Sequence, residues 1–316
     1  MSFDRLINNI VDRQNPSVMG LDPTLDYIPD SIKRDAFREK GETLAGAAEA
    51  IFRFNKGLID ACKDVVPAIK PQCAYYEMYG VAGFETLHRT IQYGKENGLF
   101  VIIDGKRGDI GSTMTAYATG HLGLTQVGET RFPAMGGDAL TVNGYFGVDG
   151  ITPLTDVCKQ EDKGIFVLVR TSNPSAGQFQ DLKVGDRTVY DIMGDLCEEW
   201  GEACPGQYGY TGVGAVVGAT WPQQLSELRA RLPHTFFLVP GYGAQGGGAK
   251  DVMGGFDKRG LGSIINASRS IMCAWKKTGK DGTDFMEAAR AEAVRMKEAL
   301  IDVYKRQIII RQYLRR

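Results

Sequence analysis

An acid, a base and a second acid stand close together at Asp104, Lys106 and Asp109. They close an apolar run, Phe100-Val101-Ile102-Ile103, and lead into Gly111, Ser112 and Thr113. On an extended segment residues two apart leave the same face, so Asp104 and Lys106 project together. Asp109 lies beyond the intervening glycines, on the turn into the next helix. From there it can point back at the pair or at a neighbouring subunit. Nearby negative charge favours the ammonium form, so a lysine between two carboxylates keeps its proton. Such a lysine can donate a proton or stabilise a developing carbanion. The same residues could also form a plain strand-end salt bridge, and the rest of the chain must decide.

An apolar run that breaks into charge is the end of a buried strand, and the pattern recurs. Residues 17–23, 65–71, 100–104, 139–143, 164–170, 213–218, 236–240 and 263–266 read as eight short, nearly continuous apolar strands. Helical spacing separates them, as in Leu44, Ala47, Ala48, Ile51 and Leu58, or Ile192, Leu196 and Trp200. Phe3, Leu6, Ile7 and Ile10 mark a helix before the first strand, and Phe285 to Tyr304 a helix after the last. Strand–helix alternation eight times over predicts an α/β fold, a closed (β/α)₈ TIM barrel with extra terminal helices. No linker interrupts it, so residues 1–304 read as one domain. The basic tail, 305–316, changes character and its status stays open.

In such a barrel the active site lies at the carboxyl ends of the strands. Those ends supply Asp22, Lys70, Asp104 with Lys106, Asn143, Arg170 with Thr171 and Ser172, Pro240, and Asn266 to Arg269. The loop from Pro240 to Gly248 contains G-x-G-x-x-G at Gly241, Gly243 and Gly246. A dinucleotide fold is the other reading of that motif. Here it follows the seventh strand rather than the first, and the next strand ends in Asn266, with no acid for a ribose. Barrels commonly bind phosphate after strands seven and eight. Arg269 offers a forked donor for such an anion, and Gln245 could bridge phosphate and base. Ser172 and Asn143 could meet the edge of a planar ring or simply cap their own turns.

The 316 residues carry 37 Lys and Arg against 38 Asp and Glu, a balance that suggests neither nucleic acid nor an anionic membrane as partner. The six cysteines form no C-x-x-C pair and read as reduced, buried thiols of a cytoplasmic protein. The three histidines show no metal-ligand spacing. Neither a signal peptide nor a membrane span is expected.

Together, Asp104-x-Lys106-x-x-Asp109 with Thr113, Lys70, Asp22 and the Pro240–Gly248 loop with Arg269 resemble the orotidine 5′-phosphate decarboxylase family. The wording Asp-Gly-Lys-Arg-Gly-Asp-Ile-Gly-Ser-Thr, with Val-Arg-Thr-Ser-Asn-Pro and Val-Pro-Gly-Tyr-Gly-Ala-Gln-Gly-Gly, is similar to its longer bacterial branch. The resemblance implies decarboxylation of orotidine 5′-phosphate to uridine 5′-phosphate, with no metal and no organic cofactor. It implies that Lys106 protonates C6, that Asp104 and Lys70 belong to the charged array, and that Asp109 and Thr113 are shared across a homodimer interface. By the same resemblance Asp22 meets the ribose hydroxyls, with Lys70 alongside, and Ser172 meets the pyrimidine edge; Asn143 stays a candidate substrate contact. Gln245 and Arg269 then hold the phosphate, and Pro240, Gly243 and Gly246 belong to the same substrate-binding loop. Asn143 is followed by Gly144 where the family has proline, a small departure. Two alternatives remain: a Mg²⁺-dependent sugar-phosphate decarboxylase or aldolase on the same barrel, and a nucleotide-sensing barrel without turnover.

Overall fold

A computed structural model describes residues 2–243 and 246–313. Eight parallel strands close on one another in chain order: β1 Ser17–Leu21, β2 Ala68–Pro71, β3 Phe100–Arg107, β4 Ala139–Val142, β5 Gly164–Arg170, β6 Val213–Val217, β7 Phe237–Val239 and β8 Ser263–Ala267. Ser17 of β1 lies opposite Ile265 of β8, so the barrel has no open edge. These are the eight strands the apolar runs predict, with most bounds within two residues and two of them, the start of β2 and the end of β3, shifted further. β2 begins only at Ala68, because the amides of Val65 and Val66 still bond to Cys62 O and finish the preceding helical turn. β3 runs past the charge break to Arg107.

Each strand presents alternate residues to two apolar layers. Val18, Phe100, Ile102, Phe166, Leu238 and Ile264 fill the barrel interior. Met19, Val101, Ile103, Leu140, Val167 and Ile265 face the helices. The main helices are α1 Ser2–Arg13, α2 Asp30–Lys40, α3 Leu44–Cys62, α4 Gly80–Glu96, α5 Gly111–His121, α6 Val148–Glu161, α7 Val189–Gly201, α8 Pro222–Arg231 and α9 Phe285–Tyr313. Helix α2 and two exposed hairpins, Thr125–Val127 with Thr130–Phe132 and Lys183–Val184 with Arg187–Thr188, escape an apolar-periodicity reading. They bury little: Ala36 is the buried residue of α2.

The amino end of the barrel is plugged by α1. Phe3, Leu6, Ile7 and Ile10 join the interior cluster, each contributing about 1.5–3 kcal/mol by burial. The Phe3 ring sits 4.7 Å from Phe166 and 5.6 Å from Phe236. Gly164 makes the room, since a Cβ there would lie 2.7 Å from the Phe3 ring. The carboxyl end is thereby left as the open end.

Five cysteines are buried, Cys273 is half-buried, and all six are free thiols. Burial pushes Cys62 up to about 12 and Cys73 up to about 11. Among the described residues no helix is long and apolar enough to cross a membrane. Helix α9 carries the backbone past Tyr304. Of the 305–316 tail, only the Lys305 side chain falls among the described ones.

Candidate active site

A cavity of about 530 Å³ opens at the carboxyl ends of the strands. Its floor is a charged array from three adjacent strands. Asp104, at the inward position after Ile102 on β3, receives Lys70 Nζ of β2 on Oδ2 at 2.5 Å and Lys106 Nζ on Oδ1 at 2.6 Å. Thr141 of β4 donates its hydroxyl to the same Oδ1 at 2.8 Å. Asp22, just past β1, stands 4.0 Å from Lys70 Nζ. Lys70 and Asp104 are buried, whereas the Lys106 side chain is 44% exposed towards the mouth.

Burial alone would raise the Asp104 carboxyl. The ammonium groups of Lys70 and Lys106 overcome it and hold Asp104 well below the usual carboxylate range. Burial likewise works against a charged Lys70, and Asp104 and Asp22 outweigh it, so the Lys70 pKa is raised. Both groups of this buried pair are therefore ionised at neutral pH.

The backbone beneath Lys106 is unusual. The pairing of β3 with β4 jumps from Ile103↔Leu140 to Arg107↔Val142, a bulge that spans Asp104 to Lys106. Lys106 itself has φ +46°, a left-handed conformation that costs a side-chain-bearing residue about 1–2 kcal/mol. Its amide donates to Thr141 Oγ1 at 3.0 Å. Behind it, Arg107 donates to Gly105 O at 3.1 Å, pairs with Glu77, and donates to His121 Nε2 at 3.4 Å. Burial first, and Arg107 next, hold His121 neutral with its pKa lowered to about 4.

The walls are set by the neighbouring strand ends. Tyr76, fully buried, donates to Leu21 O at 3.3 Å and accepts from Asn55 at 2.9 Å, fixing the end of β1 next to Asp22. Gly20 leaves space for Ser268, whose Oγ would lie 1.9 Å from a Cβ there. Ser268 in turn receives the Asn266 amide at 3.2 Å and precedes Arg269. Across the cavity, Thr220 donates to Ser172 O at 3.2 Å and Trp221 to Thr171 O at 2.8 Å.

Asp22, Lys70, Asp104, Lys106, Ser172, Pro240 and Arg269 thus share one cavity wall. Other candidates lie elsewhere. Asp109 is half-buried beyond the bulge, and its Oδ1 accepts the Ile110 amide at 2.8 Å. Thr113 is exposed on the first turn of α5. Asn143 is exposed and caps the turn Gly144–Phe146 through the Tyr145 amide at 3.0 Å. Gly243 and Gly246 hold left-handed angles of +78° and +93°. Their amides donate within the loop, to Gly247 O at 2.8 Å and Gly243 O at 2.9 Å. Gln245 falls outside the described residues. Arg170 turns away from the mouth. It pairs with Asp181 at 3.1 Å and lies 4.2 Å over the Trp221 ring, bracing the loop after β5.

Thr141, Gln72 and the rings of Tyr27 and Tyr75 line the cavity without having been singled out by the sequence. Thr141 had one available signal, a hydroxyl at an inward position of an otherwise apolar strand. Among the described residues no three His, Cys, Asp or Glu side chains are grouped to hold a metal ion.

A model of the orotidine 5′-phosphate decarboxylase / HUMPS family matches residues 50–279. The orotidine 5′-phosphate decarboxylase of Rhodopirellula baltica is 42% identical over 305 residues, 95% of this chain and 99% of that one. That of Caldicellulosiruptor bescii is 40% identical over 298 residues, 94% of this chain and 97% of its own. The structure of Leishmania donovani OMP decarboxylase matches with a TM-score of 0.72 at 30% identity, over 95% of this chain and 99% of that one. A Methanocaldococcus jannaschii orotidine 5′-monophosphate decarboxylase, complexed with inhibitor BMP, shares the fold at 21% identity, with a TM-score of 0.57 over 90% of this chain and 97% of that one. By sequence over nearly its whole length and by the architecture of its barrel, the chain belongs to the orotidine 5′-phosphate decarboxylase family.

Proposed function

We propose that this chain decarboxylates orotidine 5′-phosphate to uridine 5′-phosphate, and that the Lys70–Asp104–Lys106 array is where the bond breaks. That array carries the reading: two ammonium groups share one buried carboxylate at the floor of a cavity large enough for a nucleotide. The C6–carboxylate bond cleaves heterolytically, carbon dioxide leaves, and the electron pair stays on C6. Lys106 stabilises that carbanion as it forms and then transfers its Nζ proton to C6, taking a proton back from solvent afterwards. Asp104 orients Lys106, and Lys70 keeps Asp104 ionised while it does so.

The remaining roles follow from position. Asp22 has a buried carboxylate oxygen with no hydrogen-bond donor and accepts from a ribose hydroxyl. Ser172 meets the pyrimidine edge, with Asn143 on the same side of the barrel. Arg269, with Gln245, holds the phosphate, and Pro240, Gly243 and Gly246 shape the loop that approaches it. Phosphate binding, remote from C6, contributes to the rate as well as to affinity. Asp109 and Thr113 complete the site of a second subunit in a homodimer. In support, exposed apolar side chains stand on the segments next to Asp109: Ile110 follows it in the chain, and Tyr145, Phe146 and Val148 precede Gly150, where a Cβ would lie 2.8 Å from the Asp109 carbonyl. The buried thiols suit a reducing, cytoplasmic setting. A sugar-phosphate enzyme working through Mg²⁺ would call for an acid at a strand end where this chain places Lys70.

The test is direct. Purified protein mixed with orotidine 5′-phosphate is followed by ultraviolet absorbance, with and without EDTA, for wild type and Lys106→Ala. Wild type consumes the substrate, EDTA has no effect, and the variant loses turnover by about 10³-fold or more. Lys106→Ala turning over at the wild-type rate would remove Lys106 from its role, and loss of activity in EDTA would favour the metal-dependent alternative.

A further inference from the structure

We infer that Thr141 is a positioning residue for the proton donor, acting through its hydroxyl on both ends of Lys106. This rests on the decarboxylase reading of the same site. The observation is a closed ring of hydrogen bonds. Lys106 Nζ binds Asp104 Oδ1 at 2.6 Å, Thr141 Oγ1 donates to that same oxygen at 2.8 Å, and the Lys106 amide donates to Thr141 Oγ1 at 3.0 Å. One hydroxyl therefore uses its donor on the carboxylate that holds the ammonium and its acceptor on the backbone that carries the side chain.

The ring matters because the Lys106 backbone is not self-supporting. Its φ of +46° sits inside a bulge whose peptides are released from the β3–β4 ladder. A strained conformation persists only where its surroundings over-determine it. Two groups flank this one: Thr141 holds the amide of Lys106, and Arg107 holds the carbonyl of Gly105 at 3.1 Å. Arg107 is anchored from the helix side by Glu77 and His121, while Thr141 acts from the barrel interior. Removing the hydroxyl frees the amide of the 105–106 peptide to rotate. Rotation swings the Lys106 Cα–Cβ bond and draws Nζ from the place where C6 must stand.

Packing alone does not account for a threonine here. The position is buried, faces inward above Ala139, and lies among Leu168 and Val216 of the cavity wall. Valine is branched at the same carbon and would fill the apolar part of that space. The hydroxyl is the part that packing does not require, and each of its two partners belongs to the charged array.

The experiment compares Thr141→Val, which keeps the branching, with Thr141→Ser, which keeps the hydroxyl. Steady-state kcat and KM for orotidine 5′-phosphate, the Kd for uridine 5′-phosphate and the Tm are measured for each. The expected result for Thr141→Val is a fall in kcat on the order of 10²-fold, as for a misplacement of about 1 Å, with KM and the product Kd within about 3-fold of wild type. Thr141→Ser restores kcat to within about 3-fold of wild type even if its Tm drops. Three results would overturn the inference: a Thr141→Val kcat equal to wild type, a loss seen in KM alone, or Thr141→Ser impaired as much as Thr141→Val. If Thr141→Val does not fold, Thr141→Ala, which also lacks the donor and the acceptor, takes its place under the same criteria. Wild type inactive on orotidine 5′-phosphate would instead sink the decarboxylase reading, separately from the role of Thr141.

Discussion

Lys70→Met is the substitution that probes the buried pair most cleanly. It keeps the length and apolar stem of the side chain and removes one of the two ammonium groups on Asp104. The two side chains are 5% and 10% exposed, so solvent screens them little. At 2.5 Å and an effective dielectric of about 20, their attraction is about 6–7 kcal/mol. Desolvation offsets much of that, at several kcal/mol per ion. In the variant the Lys70 share of that penalty disappears and the Asp104 share stays. Removing one partner of a buried pair costs about 3–5 kcal/mol. Lys106 and Thr141 still hold Asp104, which places this case near 3 kcal/mol. At about 2–4 °C per kcal/mol for large domains, the Tm falls by about 6–12 °C at pH 7. The gap depends on pH. The folded-state pKa of Asp104 in wild type lies below its unfolded value, so its contribution is complete above the unfolded pKa and is lost as pH falls through the folded one. In Lys70→Met burial remains while one ammonium is gone, so the carboxyl moves up and that contribution shrinks. The wild-type advantage therefore narrows as the solution is taken below about pH 4. Thermal melts of both proteins between pH 3 and pH 8, with turnover measured at pH 7, check this. Melting within 2 °C (about 1 kcal/mol) of wild type at every pH, with wild-type turnover, would refute the argument that this pair organises the site.

Two more outcomes are expected. Lys106→Ala and Asp109→Ala, each inactive alone, should recover activity when their subunits are exchanged, up to about a quarter of the wild-type sites for a two-fold dimer; no recovery after proven exchange counts against a shared site. His121 is neutral when folded, with a pKa of about 4 against an ordinary 6.5. The folded state takes up its proton later than the unfolded chain, so stability is full above 6.5 and declines by up to about 3 kcal/mol on acidification to pH 4. Denaturant unfolding of His121→Gln should show a flatter pH profile than wild type between those limits, and an unchanged slope would contradict the assignment.

The fold was legible because its signals are local. Buried parallel strands are continuous apolar runs, and a charge that ends such a run faces the mouth whatever helix follows, as Asp22, Lys70 and Asp104 do. What alternation could not supply is the number of extra residues in a strand. β5 carries one: the pairing with β6 goes from Leu168↔Val216 to Arg170↔Val217. A single inserted residue exchanges the two faces, and Arg170, inward by strict alternation, is delivered to Trp221 on the helix side. β3 carries two, since Arg107 stands opposite Val142 where unbroken register would place Gly105. Two insertions restore the face, so Lys106 points inward with Asp104 as alternation predicts, but from a left-handed backbone that alternation does not contain. That backbone needs a holder, and the holder, Thr141, is 35 residues away along the chain and adjacent only through the β3–β4 pairing. Asn143, two residues further on, has already left its strand and caps the turn instead. The same-face rule thus reached the right answer for Lys106 and the wrong one for Arg170 by one physical cause, the parity of a bulge.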